Sequence, residues 1–254
     1  TDALQPANLV DRVDAVCLSG GSVYGLDAAS AVTAKLGAEG RGFAMGTAPV
    51  ASPIVPAAIL FDVGNGGTKD WGDTPPYHRL GKQAFDARAT AFALGNSGAG
   101  FGAQAGQLKG GLGSASTMLD ADVCVGALLA VNPVGAVCDA YGTFWVQHLA
   151  LDHKGAPEFG RADTQAPQAG ASHPLAASKL SGLTAGANTT IGVVAVAADL
   201  TPAECQRVAI MAQDGLARAI EGVFYAHCKQ GPGNRAGLMD AAEFLAACKA
   251  LSSL

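Results

Sequence analysis

An α/β fold is predicted by three features of this chain. First, 49% of its 254 residues are hydrophobic and only 15% are charged, enough apolar material for a sizeable core. Second, 34 glycines, abundant alanine and valine, and few aromatics imply close packing of small residues and many tight turns. Third, short apolar runs alternate with helical patterns: strand, turn and helix near the start, and a β-branched run followed by a capped helix near residue 200.

Asp14 to Ser19 is an apolar run that meets Gly20–Gly21, and a helical pattern from Val23 to Leu36 follows, ended by Gly37. The prolines of Pro49 to Phe61 impose an extended approach to a buried strand over Ala57 to Val63. Gly64 to Tyr77 reads as a loop, and the Ala-rich Lys82 to Leu94 as a helix. Gly95 to Ser116 carries too many glycines for regular structure throughout and is expected to line something. Cys124 to Val131 and Ala136 to Asp139 read as strands joined by the turn Asn132-Pro133-Val134-Gly135, with Gly142 to His148 extending the hairpin. Gly155 to Ala187 has linker composition. Thr190 to Ala197 is a buried strand, and Thr201-Pro202-Ala203-Glu204 opens a helix to about Ile220 with Thr as N-cap, Pro at N1 and Glu closing a capping box. A turn at Gly231 to Arg235 and a helix over Asp240 to Leu251 complete the reading.

Charge and cysteine usage exclude several functions. A net charge of −5, with no stripe of Lys and Arg, argues against nucleic acid as a partner. The six cysteines show no C-x-x-C pair and no Cys/His spacing suited to zinc, which predicts no metal site and free thiols in a reducing cytoplasm. No run of about eighteen apolar residues crosses a membrane, and no signal-peptide pattern opens the chain. The start at Thr1 without Met predicts missing upstream sequence.

Familiar glycine motifs fall short of the chemistry they suggest. Gly20 to Gly25 (GGSVYG) approaches a nucleophile elbow around Ser22, but Tyr24 stands where G-x-S-x-G needs Gly. Gly98 to Ala103 (GAGFGA) approximates a dinucleotide fingerprint without a β-run immediately before it. His78, His148, His153, His173 and His227 lie in loop-like or polar surroundings that assemble no Ser/His/Asp set.

Asn188-Thr189-Thr190 differs, because a linker delivers a β-branched hydroxyl residue to the start of a buried strand. If Thr189 Oγ1 attacks the Asn188 carbonyl, the acyl group moves from nitrogen to oxygen, and ester hydrolysis frees an α-amine on Thr189. Such an amine has an unperturbed pKa of about 7.7–8.0, so part of it is neutral near pH 7 and can take the hydroxyl proton. Taken alone, the triplet is also an N-glycosylation pattern and an ordinary turn sequence.

The blocks SGGSVYGLDAASAV (Ser19 to Val32), IVPAAILFD (Ile54 to Asp62), GAGFGAQAG with KGGLGSAS (Gly98 to Ser116), NPVG (Asn132 to Gly135) and NTTIGVVA (Asn188 to Ala195) occur in one order. Together they resemble the L-aminopeptidase/D-esterase family of self-cleaving hydrolases, which includes β-peptidyl aminopeptidases and the nylon-oligomer endohydrolase. The resemblance implies a four-layer α/β/β/α sandwich similar to ornithine acetyltransferase. It also implies one hydrolase domain over 1–254, processed into 1–188 and 189–254 by cutting of the Asn188–Thr189 bond. The expected function is an aminopeptidase or amidase acting on small peptides or amides, homo-oligomeric, without metal or organic cofactor. Thr189 falls on the nucleophile position, and Asn132 on a residue that helps hold the oxyanion.

Three departures accompany the resemblance. Phe61 stands before Asp62 where the nylon-oligomer hydrolase has Tyr, and Gln107 stands where that enzyme has a catalytic Lys, with Lys109 two residues on as a substitute cation. Beyond Ile220, Glu221 to Leu254 departs from the family's pattern. These leave two alternatives: an acyltransferase of ornithine-acetyltransferase type, in which an amine intercepts the acyl-enzyme, and a non-catalytic relative that keeps the fold.

Overall fold

A computed structural model describes residues 2–9, 11–106, 108–119, 122–139, 142–146 and 189–220. Strand β1 (Cys17–Ser19) turns through Gly20–Gly21 into a short 3-10 helix (Ser22–Leu26) and then α1 (Asp27–Ala38), and β2 (Ala57–Ile59) returns parallel to β1 with Leu18 opposite Ala58. Sequence and structure agree on this β-α-β order; the expected helix start at Val23 falls in the 3-10 turn.

Helix α2 spans Tyr77–Asp86, which corrects the helix expected over Lys82 to Leu94. The packing decides it. Gly81 lies against the backbone of α1, where a Cβ would come within 2.4 Å of the Ala28 carbonyl oxygen, and Phe85 is buried. The Ala-rich stretch beyond Ala87 is exposed, with no apolar face to cover, so its propensity goes unused. Ion pairs Lys35–Asp86 (2.6 Å) and Arg88–Glu39 (2.8 Å) tie the ends of α1 and α2, and the Arg88 guanidinium stacks 3.8 Å from the Phe85 ring centroid.

Strands β3 (Gln104–Ala105) and β4 (Leu108–Lys109) form a small antiparallel hairpin. Strand β5 (Gly111–Met118) pairs antiparallel with β6 (Cys124–Val131), which pairs antiparallel with β7 (Ile191–Val196). The glycine-rich block is therefore regular in its second half. An eight-residue strand of small side chains forms there because every residue finds a partner along β6. Of the expected strand over Ala136 to Asp139, only a bridge between Cys138 and Phe144 forms.

Helix α3 (Pro202–Ala219) opens on the expected capping box: the Thr201 hydroxyl accepts from the Glu204 N–H and the Glu204 carboxylate accepts from the Thr201 N–H. Thr201 also holds the Glu204 carboxyl below its ordinary pKa, chiefly through that backbone N–H. Leu60, Ala99, Ala103 and Ala130 make a core of mostly small side chains, against which Leu18, Leu112 and Ile191 pack. This core joins the β1–β2 pair to the β5-β6-β7 sheet, giving a mixed α/β architecture. The linker over Gly155 to Ala187, the turn at Gly231 to Arg235 and the helix over Asp240 to Leu251 lie outside the described residues. Among the described residues, no helix is long and apolar enough to cross a membrane.

Candidate active site

Four chain segments meet where the core ends: the Gly20–Gly21 turn after β1, Phe61 to Asn65 after β2, the glycine-rich loop before β3, and Asn132 after β6. Asp62 joins the first of these to the third. Its Oδ1 accepts the Gly21 N–H at 2.6 Å, and its Oδ2 lies so close to both loops that a Cβ on Gly20 or Gly102 would stand 2.5 or 2.1 Å from it. Gly21 itself has φ 84°, and the Tyr77 ring occupies the space its side chain would need. Burial and, second, the Asp62 carboxylate push the Tyr77 hydroxyl pKa upward. Ser22 also has positive φ, 54°, and its N–H donates to the Leu60 carbonyl at 2.9 Å, so a backbone hydrogen bond holds a conformation that a serine rarely adopts.

Asn132 organises the opposite side. It is fully buried. Its Nδ2 donates to the Phe61 carbonyl (2.9 Å), and its Oδ1 accepts the Gln104 N–H (2.9 Å) and the Asn65 Nδ2 (3.3 Å). Asn65 donates in addition to the Gly102 carbonyl at 3.0 Å. One buried amide thus fastens β2's exit, β3 and the loop carrying Asn65. The backbone carbonyl of Asn132 accepts the N–H of Thr189 at 3.2 Å.

The site residues expected from sequence therefore separate into groups. Thr189 and Asn132 are brought together directly. Lys109 lies on the same loop system, its ammonium donating to the carbonyls of Phe101 and, at 3.1 Å, of Ala103. Gln107 and Asn188 lie outside the described residues, as do His148, His153, His173 and His227. His78 lies on α2 rather than in a loop, with Nδ1 3.3 Å from Asp27 Oδ1. Phe61 contributes its carbonyl to Asn132 while its side chain is exposed. Thr190, beside Thr189, has a buried hydroxyl with no hydrogen-bond partner among the described residues.

Sequence reasoning missed Asp62 and Asn65 as organising residues. The available signal was a pair of polar side chains, Asp62 and Asn65, following the apolar run Ala57 to Phe61. A cavity of about 190 Å³, lined by Asn65, Gly102, Ala103, Gln104, Leu108 and Lys109, opens beside these residues. Among the described residues, no three His, Cys, Asp or Glu side chains gather as a metal site.

Over 221 residues the chain is 45% identical to an uncharacterized aminopeptidase of Mycobacterium tuberculosis, covering 87% of this chain and 60% of the relative. A 6-aminohexanoate-oligomer endohydrolase of Agromyces sp. is 33% identical over 136 residues, 51% of this chain and 36% of that protein. The corresponding enzyme of Kocuria sp. is 28% identical over 82% of this chain and 56% of that protein. The chain thus spans about 60% of the length of the mycobacterial relative. Residues 1–228 match the profile described as Peptidase family S58, and the chain belongs to that family of peptidases.

Proposed function

We propose that the protein is an N-terminal-nucleophile aminopeptidase or amidase that cuts its own Asn188–Thr189 bond and then hydrolyses small peptides or amides through an acyl-enzyme on Thr189. The observation that carries this reading is the hydrogen bond from the Thr189 N–H to the Asn132 carbonyl. The nitrogen that makes this bond is the one that self-cleavage would turn into the α-amine. The Asn132 carbonyl then holds that amine at the mouth of the site, beside its own hydroxyl.

In the proposed reaction, Thr189 Oγ1 loses its proton to a base and adds to the Asn188 carbonyl carbon. The C–N bond breaks as the nitrogen takes up a proton, leaving an ester that water hydrolyses to the Asn188 carboxylate and the free Thr189 hydroxyl. In turnover the α-amine takes the hydroxyl proton and returns it to the leaving amine of the substrate. Asn132 acts here by positioning. The oxyanion role implied for it by resemblance would require its Nδ2 to serve the developing charge as well as the Phe61 carbonyl. The Thr190 hydroxyl, without a partner among the described residues, fits a junction whose bonding changes when the neighbouring peptide bond is cut.

The order of contacts supports a four-layer α/β/β/α arrangement: α1 against β1 with α2 packed on α1, the small-residue core, the β5-β6-β7 sheet, and α3 against β7. Homo-oligomeric assembly, which rests on the family resemblance, and a cytoplasmic location, which rests on the scattered cysteines, are part of the same proposal. For Gln107, the proposal is that the missing cation slows maturation unless Lys109 substitutes for it, so Gln107→Lys speeds fragment appearance on denaturing gels and Lys109→Ala slows it only if Lys109 is the substitute; if neither variant changes the rate, no cation from this loop takes part.

The test of the nucleophile is a pair of variants. Thr189→Ser keeps a hydroxyl and should retain cleavage and measurable hydrolysis of a small amide, whereas Thr189→Ala should show neither. Hydrolysis by a correctly folded Thr189→Ala protein would overturn the proposal.

A further inference from the structure

The cavity beside Asn132 has a chemistry that hydrolysis alone does not explain. Among the described residues its walls carry one ionised side chain, Lys109, and no carboxylate. Among the described residues no acidic side chain pairs with Lys109: the ion pairs there involve Lys35, His78 and Arg88. The Lys109 ammonium is instead held by two backbone carbonyls, those of Phe101 and Ala103. Neutral carbonyls fix its position without an ion pair, and among the described residues they take two of its three N–H donors.

The neighbouring groups complete the pattern. Gln104 pairs directly with Lys109 across the β3–β4 ladder, so their side chains share a face. Asn65 directs Nδ2 to Gly102 and Asn132, which leaves its Oδ1 as an acceptor at the cavity wall. A fixed cation next to a side-chain amide and an amide-oxygen acceptor complements the end of a peptide, which presents a carboxylate and, on the other side of its Cα, an N–H. A cavity of about 190 Å³ has room for a small residue. The cavity also adjoins the proposed nucleophile through two shared residues: Gln104 and Asn65 both bond Asn132, whose carbonyl takes the Thr189 N–H.

We propose that this cavity binds the free carboxylate of the substrate's leaving portion through Lys109, so that the enzyme selects short peptides with an unblocked C-terminal carboxylate over the same peptides ending in an amide. This rests on the Thr189 reading for the word substrate, but the binding it describes can be measured without turnover. In the full-length Thr189→Ala protein, titration calorimetry with alanyl-alanine and with alanyl-alaninamide should give at least a tenfold tighter Kd for the acid at low salt. That ratio should shrink at ~1 M salt, where the screening length falls to ~3 Å. Lys109→Met on the same background should bring the ratio close to one, and Lys109→Arg should restore most of it.

Equal binding of acid and amide by the Thr189→Ala protein overturns the proposal, and that result needs no Lys109 variant to fold. A preference that survives Lys109→Met in folded protein overturns it as well. A clear Lys109-dependent preference in a protein whose wild type hydrolyses nothing would leave the carboxylate site standing and defeat the nucleophile reading instead.

Discussion

Replacing Asn132 by alanine separates two roles that the same residue could play. The side chain is fully buried and makes three hydrogen bonds to described residues. Truncation leaves the Phe61 carbonyl and the Gln104 N–H without their partner, while Asn65 keeps its bond to Gly102. An unsatisfied buried polar group costs about 1–3 kcal/mol; these two are half-buried and a water can enter the space, so about 2–3 kcal/mol in total is expected. That is a large part of the 5–15 kcal/mol typical of a domain. The assay is urea unfolding on the Thr189→Ala background, which keeps one chain length in every sample. Asn132→Asp is the companion variant. It preserves the acceptor for Gln104 but sets a carboxylate against the Phe61 carbonyl, so it should destabilise more as the pH rises past the ordinary carboxyl range near 4. A residue that only donates to an oxyanion would show almost no stability loss with a 10²–10³ loss in kcat. If Asn132→Ala unfolds within ~0.5 kcal/mol of its parent, the clamp described here is wrong.

Two further outcomes follow from local chemistry. Thr201→Ala removes the N-cap of α3 and should cost about 1 kcal/mol, read as a lower unfolding midpoint; an unchanged midpoint would mean the cap adds nothing to global stability. Burial, then Asp62, raise the Tyr77 pKa above its ordinary value of 10.0. The folded protein therefore holds that proton longer than the unfolded chain, and stability falls as the pH rises from about 10 through the folded pKa. Asp62→Asn removes the smaller cause, so phenolate absorbance should appear at lower pH than in wild type, and an upward shift would refute the assignment.

The parts of the fold legible in the sequence are those where local chemistry and packing agree. Strand β6 follows from its apolar run and α3 from the capping box, because in both the deciding residues are neighbours along the chain. Strand β5 was hidden by its glycines and serines, since it exists through pairing with β6 rather than through its own propensity. Helix α2 shifted because Gly81 and Phe85 have a partner surface on α1 and the later alanines have none.

The candidate site was half legible for the same reason. The residue types of Thr189, Asn132 and Lys109 could be singled out, but their approach to one another depends on where β2, β3, β6 and β7 end. The positions of Asp62 between two glycine loops and of Asn65 on Asn132 are products of that convergence. No spacing in the sequence encodes them.

The most direct test of the central claim is the intact mass of the purified protein under denaturing conditions. Self-cleavage predicts two chains separated at the Asn188–Thr189 bond, the second beginning Thr-Thr-Ile-Gly, and a single chain for Thr189→Ala. A wild-type protein that remains one chain after long incubation while hydrolysing small amides would contradict the account.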